Sequence, residues 1–198
     1  AKVQPYYARN AEIYALRDDV KPFLRSYWNA LAATIDGEML SIYEHFAPSC
    51  INKTHETGYF LYQTRLMLLM ERGEELWLAP LAPQSWLEDG KAIEVQNAPT
   101  RFGPVSYRIA SHLSQKYVEA RIAPPRRSKE TPLILRLRHP AGEEIQRVTV
   151  VEGECAATVD EEKQTVRATP KEPATLRIEF GKAGDLRWEV SQLDPAKV

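Results

Sequence analysis

Residues 43–60, YEHFAPSCINKTHETGYF, bring Glu44-His45 and His55-Glu56 into one short polar span between two helix-like stretches. Two carboxylates and two imidazoles on a connecting segment have the makings of acid–base chemistry. A carboxylate there can act as a general base or hold a sugar hydroxyl, and a histidine can orient either partner. The same residues also suit a structural role, with Glu44 and Glu56 capping or solvating helix ends and the histidines making structural hydrogen bonds. A metal centre is disfavoured, because His45 and His55 lack the i, i+4 spacing of a helical zinc motif and no cysteine pair assists. No metal and no cofactor are therefore expected. A Cys50–histidine nucleophile would need a depressed thiol pKa, for which the sequence offers no sign.

Trp77, Trp86, Tyr59 and Tyr62 form a second group. Their faces suit the apolar C–H side of a sugar ring, although aromatics beside a helix-to-sheet joint also serve as core. Arg136 and Arg138, with Arg126 and Arg127, read as the solvated side of a sheet.

The elements that must position these residues follow from periodicity. Val20, Phe23, Leu24, Tyr27, Trp28, Leu31 and Ile35 mark one face of a helix, with Asp18 or Asp19 available to cap it and Gly37 to end it. Weaker helices are expected over Tyr6 to Leu16 and Glu38 to Phe46. Another is expected over Thr57 to Arg72, apolar nearly all round and ended by Gly73. The stretch LWLAPLAPQSWLEDG, from Leu76 to Gly90, then changes the period from 3.6 to 2, with Pro80 and Pro83 barred from helix interiors and central strands. Alternating segments follow at Val105 to Ile109, Tyr117 to Ile122, Leu133 to Leu137, Ile145 to Val151, Gln164 to Ala168, Leu176 to Phe180 and Leu186 to Val190. The expected fold is α+β: a helical segment over residues 1–75, resembling part of an α/α barrel, followed by an antiparallel β-sandwich over 76–198.

Composition narrows the partners. Twenty-six basic and 27 acidic residues among 198 leave a formal net charge of -1, with no electrostatic footprint for nucleic acid or an anionic membrane. The apolar run Leu66 to Met70 is far too short to span a bilayer. Cys50 and Cys155, one on each side of the joint, make neither a disulfide framework nor a zinc site and are expected to be free. The N-terminal AKVQPYYARN has no signal-peptide pattern and no initiator Met, as expected of a processed or cut chain.

From Glu44 onward the order of features resembles the C-terminal end of an (α/α)6-barrel, or six-hairpin, glycosidase. The pieces that carry the resemblance are EH at Glu44, THETGYF from Thr54, the apolar run to Arg72, LWLAPLAPQSWLEDG, APTRFGPVSY from Ala98 and LRLRHPAGEEIQRVTVVEG from Leu135. The resemblance implies a carbohydrate substrate and glycoside hydrolysis by paired carboxylates, with Glu44 and Glu56 catalytic and His45, His55, Tyr59 and Trp86 binding substrate. It further implies an extracytoplasmic location. A whole barrel needs many more helices than this chain carries, so the remaining barrel portion or another subunit is expected to complete the site, and the chain alone is expected to be inactive. The alternative is a non-catalytic β-sandwich module that binds carbohydrate or protein.

Overall fold

A computed structural model of the chain describes residues 9–43, 53–127 and 131–183. The fold is α+β: among the described residues three helices, α1 (Asn10–Leu16), α2 (Val20–Thr34) and α3 (Thr54–Leu68), precede ten strands. These are β1 (Leu69–Arg72), β2 (Glu75–Leu78), β3 (Ala92–Ala98), β4 (Val105–His112), β5 (Tyr117–Ala123), β6 (Leu133–Arg136), β7 (Glu143–Glu152), β8 (Cys155–Asp160), β9 (Thr165–Pro170) and β10 (Ala174–Ala183). They form two five-stranded sheets, ordered β1-β2-β6-β9-β8 and β3-β4-β5-β10-β7. All pairings are antiparallel except β2 with β6, which is parallel.

The molecule has three layers, because the first sheet is buried on both faces. Leu76, Leu78, Leu133 and Leu135 point into the sandwich core against the second sheet, while Trp77 and Ile134 point the other way into a core built with Phe23, Tyr27, Leu66 and Met67 of the helices. Side chains alternate along a strand, so β1, β2 and β6 feed both cores at once. No helix among the described residues is long and apolar enough to cross a membrane.

Four local expectations are corrected. The apolar run to Arg72 is not one helix: α3 stops at Leu68, and Leu69 to Arg72 are a strand whose register sets Leu69 opposite Leu78 and Met70 opposite Trp77. The run appeared apolar all round because a helix end and a two-faced strand are joined without a loop, and Leu61 and Tyr62 in fact lie exposed on α3. The helix ends there because the Leu68 carbonyl is taken by the Ala79 N–H at 2.8 Å and the buried Tyr107 hydroxyl at 2.6 Å. Gly73 instead turns β1 into β2 at a φ of 53°, in the left-handed region that glycine favours.

No helix begins at Glu38. Asp36 accepts the N–H groups of Glu38 and Met39 at 3.0 and 2.7 Å, Leu40 takes a φ of 51°, and Ile35 bridges back to Ile42. The side-chain turn outcompetes the helix, and residues 44–46 lie outside the described residues. Nor is α2 capped or ended as expected, since neither Asp19 nor Gly37 plays that part: Asp19 makes no side-chain cap bond, and the chain leaves the helix extended at Ile35. The strand expected over Leu186 to Val190 lies outside the described residues.

Arg136 is the fourth correction. It is only 8 % exposed, facing the helices rather than solvent. Its guanidinium grips Asp18, at the α1–α2 turn, through two bonds of 2.7 and 2.6 Å and also donates to the Pro80 carbonyl. Arg72 reaches the same carboxylate at 2.8 Å, and both guanidinium groups lie over the Trp77 ring, at 4.9 and 4.6 Å. This cluster fastens the helical layer to the first sheet. Arg138 is likewise partly buried.

Candidate functional site

The faces of α3 sort the expected site residues into two groups. Spacings of four, three and four place His55, Tyr59, Tyr62 and Leu66 along one face, and Glu56, Phe60, Gln63 and Met67 along the next. The second face is turned towards α2. Glu56 and Gln63 are 4 % and 3 % exposed, polar groups at positions where a core-facing helix normally carries apolar ones. They line a cavity of about 20 Å³ with Tyr27, Thr34, Ile42 and Phe60, and the Gln63 amide nitrogen finds no partner there among the described residues. The space is large enough for one water molecule.

His55 stands at the surface next to this pocket, with its Nε2 3.1 Å from a Glu56 carboxylate oxygen. That contact puts an exposed imidazole in position to relay a proton to a buried carboxylate. Glu44, His45 and Cys50 lie outside the described residues. The ends of their segment are fixed, however: Ile42 lines the Glu56 cavity, and the Lys53 N–H donates to the Ile42 carbonyl at 3.3 Å.

The first face of α3 borders a larger groove. About 490 Å³ opens between α1, α3 and β1, lined by Glu12, Leu16, Tyr62, Arg65, Glu71 and Arg72, among others. Two of its arginines are already engaged, Arg65 with the Pro99 carbonyl at 2.6 Å and Arg72 with Ala15 and Asp18. Glu12 differs. One of its carboxylate oxygens lies 3.7 Å from Arg9, and the other is buried without a hydrogen-bond partner among the described residues. A buried acceptor without a donor is costly, and an O–H group entering the groove would satisfy it. Arg9 also lies over the Tyr59 ring at 5.6 Å, so the tyrosine stripe and the Glu12 carboxylate share a cation.

Glu12 had no signal in the sequence. The face that a seven-residue helix shows its neighbour is set by tertiary packing, and its periodicity is too short to reveal it. Of the expected aromatic surface, Tyr59 and Tyr62 share the α3 face. Trp77 is 6 % exposed beneath two arginines, and Trp86, on the short 3-10 turn Gln84–Leu87, packs against both cores.

The class defined by these observations is an α+β chain with a helical layer on one face of a two-sheet β-sandwich. No protein-family model matches the chain, and no curated protein matches its sequence.

Proposed function

We propose that this chain is the C-terminal part of a carbohydrate-active enzyme that hydrolyses glycosides, its site completed by the remaining barrel portion or by another subunit. The observation that carries the reading is the α1–α3 groove, whose lining includes both the half-exposed Tyr62 ring and Glu12, one of whose carboxylate oxygens has no donor among the described residues. Sugars present an apolar face for an aromatic ring and hydroxyls for a carboxylate, and few other small ligands ask for both. Glu56, buried beside His55, is the carboxylate we assign to acid–base work, with Glu44 as its partner from the adjoining segment. The exposed Ile13, Leu16 and Leu61 belong, in this reading, to the surface on which further helices sit.

The test uses the intact gene product with a panel of oligosaccharides, reading both binding and hydrolysis. Tyr62→Ala and Glu12→Gln are each expected to weaken binding about tenfold. Glu56→Gln or Glu44→Gln is expected to lower turnover by roughly 10²- to 10⁴-fold with an unchanged circular dichroism spectrum. Full activity in both glutamine variants would remove these residues from the chemistry. Binding without any hydrolysis would favour the alternative, a non-catalytic sandwich module. That reading draws on the depression of about 350 Å³ on the open face of the second sheet, where Glu94, Arg108, Arg121 and Glu152 gather.

A further inference from the structure

A separate cleft of about 320 Å³ lies where the α1–α2 turn meets the end of the first sheet, and its lining includes Asp18, Arg138, His139, Glu143, Glu144 and Lys163. Two arginines, Arg136 at the end of β6 and Arg138 two residues beyond it, are in opposite situations. Arg136 is saturated by Asp18 and Pro80. Arg138, partly buried, makes one long hydrogen bond of 3.4 Å, to the Ala82 carbonyl, and no ion pair among the described residues. Among the described residues it therefore keeps most of its donor fork unused at the wall of the cleft. Burial and the neighbouring Arg136 both hold its pKa below the ordinary value, and Arg138 in turn depresses Lys21 beyond the effect of that lysine's own burial. A partly desolvated cation beside like charges gains most from an arriving anion.

The rest of the lining narrows which anion. His139 accepts the Ala141 N–H on Nδ1 at 3.1 Å, so its Nε2 carries the proton and is a donor. Glu143 and Glu144 face the same space as acceptors, and these two carboxylates, set against Arg138 and Lys163 of the lining, leave no net positive charge to hold a dianion such as phosphate. One unpaired guanidinium matches one carboxylate bidentately, and the glutamates match hydroxyls. We propose that this cleft binds a small hydroxycarboxylate, with its carboxylate forked onto Arg138 and its hydroxyls held by Glu143 and Glu144. The proposal is independent of the α1–α3 groove, which contributes no residue to it.

Calorimetric titration of the whole chain with gluconate, acetate and phosphate at matched ionic strength tests the assignment. Gluconate is expected to bind, acetate to bind more weakly, and phosphate not to compete. Arg138→Gln should reduce gluconate affinity about tenfold or more, and Glu144→Gln should reduce it while leaving acetate unaffected. Arg177→Gln, on β10 of the second sheet, should change nothing. Should Arg138→Gln fail to fold, Arg138→Lys keeps the charge, loses the fork and is expected to show a similar loss. Unchanged gluconate affinity in the folded Arg138 variant, no gluconate binding to the native chain, or phosphate binding as tightly as gluconate would each overturn the proposal.

Discussion

Asp18 carries more of the structure than its place in a turn suggests. Its backbone holds a φ of 66°, unusual for a residue with a side chain, and its carboxylate is the meeting point of Arg136 and Arg72. Burial pushes its pKa up, but the hydrogen bonds and charges of the two arginines outweigh that and hold it below the ordinary carboxylate value. A carboxyl with a lowered folded pKa contributes stability that is complete above its unfolded pKa, about 3.9, and is lost as pH falls through the folded value. The native chain should therefore lose part of its stability below about pH 4, and Asp18→Asn, which tolerates the same backbone, should lack that part of the acid sensitivity. At neutral pH the same substitution leaves Arg136 buried and unpaired and should lower stability by roughly 2 kcal/mol, less than for a fully buried pair because Asp18 retains contact with solvent. Denaturant unfolding at pH 7 and pH 3 measures both effects. An equal acid loss in native and variant chains would refute the assignment. Nothing in the sequence pointed to this cluster: an Asp-Asp before a helix reads as a cap, and an arginine alternating with leucines reads as a solvated strand face. Both readings assume that the far side of the sheet is open, and only the packing of the helices on that side makes them wrong.

The junction between α3 and β1 is the element on which the rest of the fold depends. Residues Val20 to Thr34 were legible as a helix because one apolar stripe faces one core, and the strands β4, β5, β7, β9 and β10 were legible because each has one buried face. The α3–β1 boundary was not, since β1 is covered on both sides and follows the helix without a break, so it lacks the alternation that identifies a strand. For the site, the cluster of His55 and Glu56 was visible in the sequence, but the division of α3 into an open tyrosine face and a buried Glu56–Gln63 face needed the positions of α1 and α2. Tyr107 marks the boundary physically, donating from the sandwich to the last helical carbonyl. Tyr107→Phe should lower the melting temperature, by about 1 kcal/mol of stability, and no more, because Ala79 still serves that carbonyl. At the other end of the sandwich, Gly153 turns β7 into β8 with a φ of 83°, and a Cβ there would overlap the Pro173 carbonyl. Gly153→Ala should therefore destabilise by about 2 kcal/mol, detectable in the same melting experiment. An unshifted transition would mean that the turn is not as tight as described.

At the scale of the whole molecule, the shared sheet couples the two cores. Because β1, β2 and β6 contribute side chains to both, the helices have no core of their own to retain once the sandwich opens. Scanning calorimetry of the chain should give one transition with equal calorimetric and van't Hoff enthalpies. Two resolved peaks would show that the layers are separable. The outer side of the helices leaves Leu16 83 % and Leu61 61 % exposed, and Leu16→Lys with Leu61→Lys should reduce apolar-dye binding without lowering the melting temperature. The Asp18–Arg136 clasp also imposes an order on synthesis. Its partners are 118 residues apart, and the parallel pairing of β2 with β6 sets Leu76 beside Leu133, about half that distance along the chain. At about 5–20 residues per second, the ribosome releases the first helices roughly 6–24 seconds before the strand on which they dock. In that interval Phe23, Met67 and Trp77 have no finished surface to cover them, so helices made well before β6 are secured only after it, and a nascent chain halted before Leu133 should be held by chaperones rather than released folded.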